Sequence, residues 1–496
     1  MPTSLVKKSV NELAPIIQCI MNKSFQTGIF PDSLKYAIVH PMIKDCKLDP
    51  DILKNYRPIT NLKFIGKTVE RAAVSQIQQY VCDNDLQSSI QSAYRPFHSC
   101  ETAVLRVSND ICVSLDTGDE VILILLDFSS AFDTLKHDII LHRLKGRFGI
   151  KGLAYQWFET YLKNRQQKVV INGVESSVHT PGIGVPQGSV VGPILFTMYA
   201  SPLEDIIKAH NMSGMCYADD TQIYLRFKPC DLQKAIQKVE CCIKHIKQWC
   251  TLNNLKLNDE KTEVLHITSR FRSRLQLPIV KVDNSPIVPS DKVKNLGVIF
   301  DRHMAMDRFV SLKCKSASFQ LHRLGKIRQY LDTTTAKKLV QALVLCHLDY
   351  CNSLLYNMPD SQLGKLQIIQ NSAARLITGT TKYSPITPVL QQLHWLPVKS
   401  RISFKILLLT FQCLHNMAPS YLKELLKKYT PVRSLRSSQK NLLECPVLGT
   451  RFYGERAFSF GGPLLWNAVP LHLKEANSVN NFKSLLKTFL FQEYYN

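Results

Sequence analysis

The stretch Met215-Cys216-Tyr217-Ala218-Asp219-Asp220-Thr221-Gln222-Ile223-Tyr224-Leu225-Arg226-Phe227 decides the fold. Met215–Ala218 and Thr221–Phe227 read as two apolar strands joined at Asp219-Asp220. Two acids at a tight junction, taken alone, are an ordinary solvated turn. A second stretch changes the balance. Val121–Leu126 is an unbroken apolar run, the pattern of a strand buried on both faces, and Asp127 stands at its end. If the two strands neighbour each other in one sheet, three carboxylates meet, and like charges gather only where a cation can be held. Hard divalent cations take oxygen ligands, and a pair of them can stabilise the attacking and leaving oxygens of a nucleotidyl transfer.

Outward from this centre the chain alternates helices and strands as far as about residue 305. Tyr36–Ile43 alternates as a strand, and Asn55-Tyr56-Arg57-Pro58-Ile59 begins a loop. Ile65–Val81 and Glu101–Leu115 have helical spacing. Helices follow at 136–148 and 153–163. Lys168–Ile171 and Glu175–Thr180 flank Asn172-Gly173, a hairpin turn. Gly184–Gly188 is a glycine and proline loop, and Ser189–Ile207 is read as one helix. Leu232–Cys250 is an amphipathic helix. Thr262–Ile267 and Val293–Phe300 read as strands. Beyond 305 the pattern is helical, at 309–330, 334–349, 361–378, 401–415 and 420–428. Residues 430–462 read as an irregular basic region.

Composition narrows the class. A length of 496 residues suits two to four domains, with a globular profile of 45% apolar and 20% charged residues. No apolar run approaches the roughly 20 residues of a membrane helix. The N-terminus is broken by Lys7, Lys8, Glu12 and Pro15 and does not read as a signal peptide, so no membrane partner and an intracellular, non-secreted location are expected. The 15 cysteines show no paired framework and suit a reducing compartment. Neither Cys346-His347 with Cys351 nor Cys413 with His415 completes a four-ligand zinc set. The net charge is +23, and residues 301–496 hold 26 Lys and Arg against 10 Asp and Glu. A polyanionic partner, nucleic acid first, is implied.

These strings resemble the reverse transcriptases of non-LTR (LINE-type) retrotransposons, close to the jockey and chicken-repeat-like clades. Asn55–Ile59 and Gln91-Ser92-Ala93-Tyr94-Arg95-Pro96 match the two fingers motifs. Leu126-Asp127-Phe128-Ser129-Ser130-Ala131-Phe132-Asp133 matches the first catalytic motif. Gly184-Val185-Pro186-Gln187-Gly188-Ser189-Val190-Val191-Gly192-Pro193 matches the nucleotide-pocket motif, and Tyr217-Ala218-Asp219-Asp220 the central one. Leu257-Asn258 with Lys261-Thr262, then Asn295-Leu296-Gly297, complete the series in the family's order.

The resemblance implies an α+β, right-hand polymerase: fingers and palm with an antiparallel palm sheet, then a mostly α-helical thumb and C-terminal region. The corresponding divisions are an N-terminal extension at 1–35, fingers and palm at 36–305, thumb at 306–400 and a basic region at 401–496. It also implies Asp127, Asp219 and Asp220 as ligands of two Mg²⁺ ions (Mn²⁺ possible), with the backbone carbonyl of Phe128 as a further ligand. Phe132 would lie under the sugar of an incoming dNTP and exclude a 2′-hydroxyl. Gln187 and Gly188 would shape the nucleotide pocket. Arg57, and less directly Arg95 and Lys67, would meet the triphosphate, although a surface salt bridge suits Arg57 equally. Lys261 would protonate or neutralise the leaving pyrophosphate, or simply be solvated. Asp133 reads as structural.

An RNA template, a DNA primer and dNTPs are the expected partners. Trp395 and Trp466 read as core residues before base-stacking ones. Full-length elements of this kind carry an endonuclease ahead of the polymerase, which this chain has no room for. A catalytically silent nucleic-acid-binding remnant and an RNA-templated RNA polymerase are the competing readings.

Overall fold

The computed structural model describes residues 3–129, 131–271, 279–282, 285–430 and 441–495. Ser130, inside the first catalytic string, lies outside the described residues. So do 431–440, inside the stretch expected to be irregular and basic. Fourteen short strands appear among the described residues, in chain order β1 Ala37–Ile43, β2 Tyr56–Asn61, β3 Glu120–Leu126, β4 Phe128–Ser129, β5 Gln167–Ile171, β6 Val174–Glu175, β7 Ser213–Tyr217, β8 Asp220–Phe227, β9 Lys256–Leu257, β10 Glu263–Ile267, β11 Val280–Val282, β12 Ser285–Ile287, β13 Lys292–Asn295 and β14 Val298–Asp301. Helices fill most of the remainder, so the chain is α+β as expected. Among the described residues no helix is long and apolar enough to cross a membrane.

The principal sheet has the order β10-β3-β8-β7. β3, the apolar run, lies inside it and is antiparallel to β10, with Leu125 opposite Glu263 and Val121 opposite Ile267. Val121, Ile122, Leu123 and Ile124 are all buried, as a strand covered on both faces requires. A second sheet has the order β2-β1-β5-β6.

Several elements differ from the sequence reading. The stretch Asn55–Ile59, expected to open a loop, enters strand β2, which pairs with β1 along its full length. Pro58 is tolerated because β2 is an outer strand, and it faces Pro41 beyond the last residue of β1 that pairs with β5. The expected helix 189–207 is two helices, Val191–Ala200 and Leu203–Ala209, separated at Pro202. Val293–Phe300 is not one strand but the hairpin β13–β14, reversed at Leu296 (φ 44°) and Gly297 (φ 78°). The helix expected at 334–349 widens into a π turn at Gln341–Leu345, which keeps Val344 and Leu345 buried.

The described chain divides into two compact units. The first comprises 1–95, 126–221 and 240–262; the second comprises 96–125, 222–239 and 263–496. In the first, helix Val10–Thr27 ends at Gly28 in the left-handed conformation. The chain then inserts Phe30, fully buried, edge-on against Trp157 and Tyr161 of helix Gly152–Leu162. In the second, helices Val398–Leu414, Phe458–Ala468 and Val479–Tyr495 share a core that includes Leu407, Phe411, Trp466, Phe482 and Leu486. Trp466 is buried there and donates its indole N–H to the carbonyl of Asn441; Trp395 is buried too. Both are core residues, and neither presents a ring for stacking.

One buried charge secures the loop that follows β6. Glu70, on the inner face of helix Phe64–Asp83, accepts hydrogen bonds from the backbone N–H of Val190 (2.6 Å) and Val191 (3.4 Å) and from the Tyr161 hydroxyl (3.3 Å). Burial pushes its carboxyl above the ordinary range, and these bonds together with the charge of Arg165 oppose that rise. Removing the acceptor strands donors in the interior. Glu70→Ala is expected to lower stability by about 2–4 kcal/mol, read from the urea midpoint, while Glu70→Gln loses less.

Candidate active site

Asp127, Asp219, Asp220 and the residues that hold them belong to the first unit. β7 ends at Tyr217 and β8 begins at Asp220, so two residues make the reversal. That tightness forces Ala218 to φ 58°, a left-handed conformation uncommon for a residue with a side chain. The turn is held by Gln91, which is buried. Its Oε1 accepts from the backbone N–H of Ala218 (3.0 Å) and of Ala93 (2.9 Å), and its Nε2 donates to the Ala218 carbonyl (3.3 Å). The backbone on either side is laced to β7: Cys216 N–H donates to Ile90, and Ser92 N–H to Cys216.

Asp127 is delivered from the other direction. β3 carries it to the sheet's end, and β4 then pairs Phe128 with Leu257 and Ser129 with Lys256 of β9. The next residue, Asn258, donates its N–H to the Asp127 carbonyl (2.9 Å). Its own carbonyl accepts from the N–H groups of Lys261 (3.1 Å) and Thr262 (3.0 Å). This small loop brings Lys261 Nζ to 3.2 Å from Asp127 Oδ2, with the lysine side chain 66% exposed and the aspartate 30%. Such an exposed pair contributes little stability, so Lys261 is free to exchange partners.

Asp219 and Asp220 both titrate above the ordinary carboxylate range. For each the largest cause is loss of surrounding water. Asp127 adds repulsion to Asp219, while Arg57 and Lys261 attract its negative charge; Asp219 and Asp127 repel the charge on Asp220, which Lys261 partly offsets. The three carboxylates are therefore coupled by charge. Oxygen donors that repel one another fit a hard divalent metal.

The other expected residues fall into two groups. Arg57, exposed on β2, is close enough to act on Asp219 by charge. Phe132 is half-buried, its ring 5.2 Å from that of Phe196, and its carbonyl accepts from Val185 N–H. Gln187 gives its Nε2 to both oxygens of Asp133 (2.9 and 2.7 Å), which makes Asp133 the anchor of the loop, in line with its structural reading. Gly188 adopts φ 113°, and a Cβ there would stand 2.9 Å from the Thr60 carbonyl, so the loop passes β2 at a distance only glycine permits. Arg95 is directed elsewhere: its Nη1 donates to the carbonyls of Ser88 and Gln91 (2.8 Å each), holding the segment that carries Gln91. Lys67 lies in the first turn of helix Phe64–Asp83. Asn295-Leu296-Gly297 belongs to the second unit, where the Tyr350 hydroxyl donates to the Leu296 carbonyl (2.6 Å) and Asn295 bonds Gln222.

Sequence reading assigned no role to Gln91, Asn258, Tyr94 or Glu70. Gln91, Tyr94 and Asn258 stand inside recognised strings, but nothing in their spacing says what they touch. Tyr94 lies near Asp219, whose charge, after burial, holds the phenol proton on. Glu70 left a legible signal: Gly66, Glu70, Ala73 and Ile77 share the buried helix face, and an acid at such a position demands partners. Gln91→Ala removes the clamp from a strained turn. A loss of about 1–3 kcal/mol in chemical denaturation is expected, with Gln91→Glu intermediate because it keeps the acceptor for Ala218 N–H.

The family described as reverse transcriptase (RNA-dependent DNA polymerase) matches residues 44–300. The RNA-directed DNA polymerase from mobile element jockey of Drosophila melanogaster is 25% identical over 378 residues, covering 73% of this chain and 40% of that protein. The probable RNA-directed DNA polymerase from transposon X-element of the same species is 25% identical over 370 residues, with the same coverage. The chain thus spans about 40% of the length of these relatives, and the resemblance to jockey-type elements is borne out. Among solved structures, apo telomerase from Candida tropicalis aligns over 78% of this chain and 64% of that chain, with 10% identity and a TM-score of 0.41. The family match runs from the residue after β1 into β14 and takes in all three aspartates, the Gln187-Gly188 loop and the hairpin at Gly297; the chain belongs to the reverse transcriptase (RNA-dependent DNA polymerase) family.

Proposed function

We propose that the chain is an RNA-directed DNA polymerase of the non-LTR retrotransposon type that extends a DNA primer on an RNA template with dNTPs. The observation that carries this is the charge-coupled set of Asp127, Asp219 and Asp220, delivered by two strand ends of one sheet to the same place, with Lys261 beside Asp127. In this reading the three carboxylates, with the Phe128 carbonyl, hold two Mg²⁺ ions, and Mn²⁺ can replace them. Bound divalent cations would stabilise negative charge on the attacking 3′-oxygen and on the departing pyrophosphate.

The chain's own residues do the rest. Arg57 offers a guanidinium fork to the triphosphate, beside the carboxylates. Lys261, resting on Asp127, is available to neutralise or protonate the pyrophosphate as it leaves. The Gln187-Gly188 loop, braced by Asp133 and by Thr60 N–H on the Gln187 carbonyl, forms the floor on which the nucleotide is oriented. Arg95 acts through Gln91 and the turn. Phe132, wedged on Phe196, presents a ring that leaves no space for a 2′-hydroxyl. The excess of Lys and Arg over 301–496 supports salt-dependent, largely sequence-independent binding to the primer–template backbone.

Primer extension on poly(rA)/oligo(dT) with Mg²⁺ tests the reading. Soluble, folded protein that incorporates no dTTP overturns it in favour of a silent nucleic-acid-binding remnant. Asp219→Asn is expected to cut incorporation about 10³-fold or more. Its effect on the metal-free fold has the opposite sign. Asp219 and Asp220 have folded-state pKa values above their unfolded ones, so ionising them costs folding free energy. That cost is absent below the ordinary carboxylate value, grows as pH rises from there towards the raised values and is complete above them. Thermal unfolding in chelator at neutral pH should therefore show Asp219→Asn above the parent protein, with the difference vanishing in acid.

Sugar selection gives a separate test. Phe132→Ala is expected to raise UTP use relative to dTTP on the order of 10- to 100-fold, in single-nucleotide extension. Equal use of UTP and dTTP by the parent protein removes Phe132 from this role.

A further inference from the structure

A second set of metal-type ligands stands apart from the aspartates. Cys241 and His245 are four residues apart on helix Leu232–Leu252, so their side chains stack on one face. That face is solvent-exposed, whereas Cys242, Ile243 and Ile246 of the same helix are buried. His210, the residue that closes helix Leu203–Ala209, reaches the same point from a different element. His210 Nε2 is 2.8 Å from His245 Nδ1, the ring centroids are 4.8 Å apart, and the ligating atoms of all three residues lie within 4.8 Å of one another. His210, Cys241 and His245 all belong to the first unit.

The imidazole–imidazole hydrogen bond matters to the chemistry. Its acceptor nitrogen presents a lone pair to its neighbour, and once the donor imidazole moves its proton to its other ring nitrogen, a metal ion can take the place of the hydrogen bond between two neutral rings. Zinc with bonds of about 2.0–2.1 Å to nitrogen and 2.3 Å to sulfur sets tetrahedral ligand separations near 3.4–3.6 Å. The three donors lie either side of those separations, so rotamer adjustments of about 1 Å would close the site. One thiolate and two imidazoles favour Zn²⁺ over Mg²⁺ and Ca²⁺, the reverse of the preference of the aspartates.

We propose that His210, Cys241 and His245 form a zinc site, with solvent as the fourth ligand. Binding releases the Cys241 thiol proton to solvent and forms one Zn–S and two Zn–N bonds, without change of oxidation state. Its consequence is mechanical. The ion ties the end of helix Leu203–Ala209 to helix Leu232–Leu252, and His210 stands only three residues before β7, the strand that carries the chain into Asp219-Asp220.

The full chain, stripped of metal by chelator and exchanged into chelator-free buffer, is titrated with Co²⁺ as the spectroscopic probe. One equivalent should produce a thiolate-to-cobalt charge-transfer band in the near ultraviolet with the visible bands of a tetrahedral ion, and Zn²⁺ should bleach both. Cys241→Ser should abolish the charge-transfer band. His210→Gln and His245→Gln should each weaken Co²⁺ binding at least 10-fold, roughly 1.4 kcal/mol. Cys445→Ser, at another exposed thiol, should change nothing. Zn²⁺ should raise the unfolding temperature of the parent by a few degrees and leave that of Cys241→Ser unmoved. Far-ultraviolet circular dichroism establishes that each variant is folded. Absence of the band in the parent overturns the proposal, and so does a band that survives Cys241→Ser. Bleaching by millimolar Mg²⁺ does the same, since it would assign the ion to carboxylate oxygen.

Discussion

Mutual repulsion among Asp127, Asp219 and Asp220 is the constraint around which the first unit is organised. Loss of water and the repulsion of neighbouring carboxylates raise the free energy of ionised Asp219 and Asp220, and no neighbouring cation fully offsets this: Lys261 reaches Asp127 only at an exposed position, and Arg57 acts on Asp219 by charge alone. Relaxation would separate them. They stay because each is fixed through backbone, not through its own side chain. Asp127 is held at a strand end by Asn258, and Asp219-Asp220 by a turn whose strained residue, Ala218, is bonded on both its N–H and its carbonyl by Gln91. On the proposed function, carboxylates held through backbone would need little reorganisation to receive cations, which is where electrostatic catalysis draws most of its advantage.

The supporting residues follow one pattern. Polar side chains with fixed geometry tie loops to regular elements: Gln91 to the turn, Asp133 to Gln187, Glu70 to the start of helix Val191–Ala200, Arg95 to the carbonyls that precede Gln91. Each is a buried or half-buried polar group bonded to the loop it holds, so each resists displacement because any alternative leaves a donor or acceptor stranded. Glycine enters only where a side chain cannot, as at Gly188 against the Thr60 carbonyl. The second unit depends instead on aromatic and aliphatic packing, with Phe411 stacked on Phe482 at 4.1 Å and Trp466 closing the group. Its positive charge lies on a scaffold that the charge itself does not stabilise.

The amino-acid sequence by itself determined the α+β class, the buried strand that ends in Asp127, the turn at Asp219-Asp220, the helical character beyond residue 305 and the family resemblance. Those features are written in hydrophobic period and in contiguous strings, which are local properties. Tertiary structure decided the rest. Asn55–Ile59 became strand β2 because β1 was there to pair with it, and the outer position made Pro58 harmless. The helix expected across 189–207 broke at Pro202, and Val293–Phe300 folded back on itself at Leu296-Gly297. Gln91 and Ala218, joined by two hydrogen bonds, lie 127 residues apart; His210 and His245 lie 35 apart on separate elements. No spacing rule reaches across such distances, because the contact is set by how the sheet and helices pack. The Asp219-Asp220 turn shows the division most plainly. Its acids were legible as a pair, but what holds the turn in its strained shape, and what charge surrounds it, is decided by chain that arrives from elsewhere.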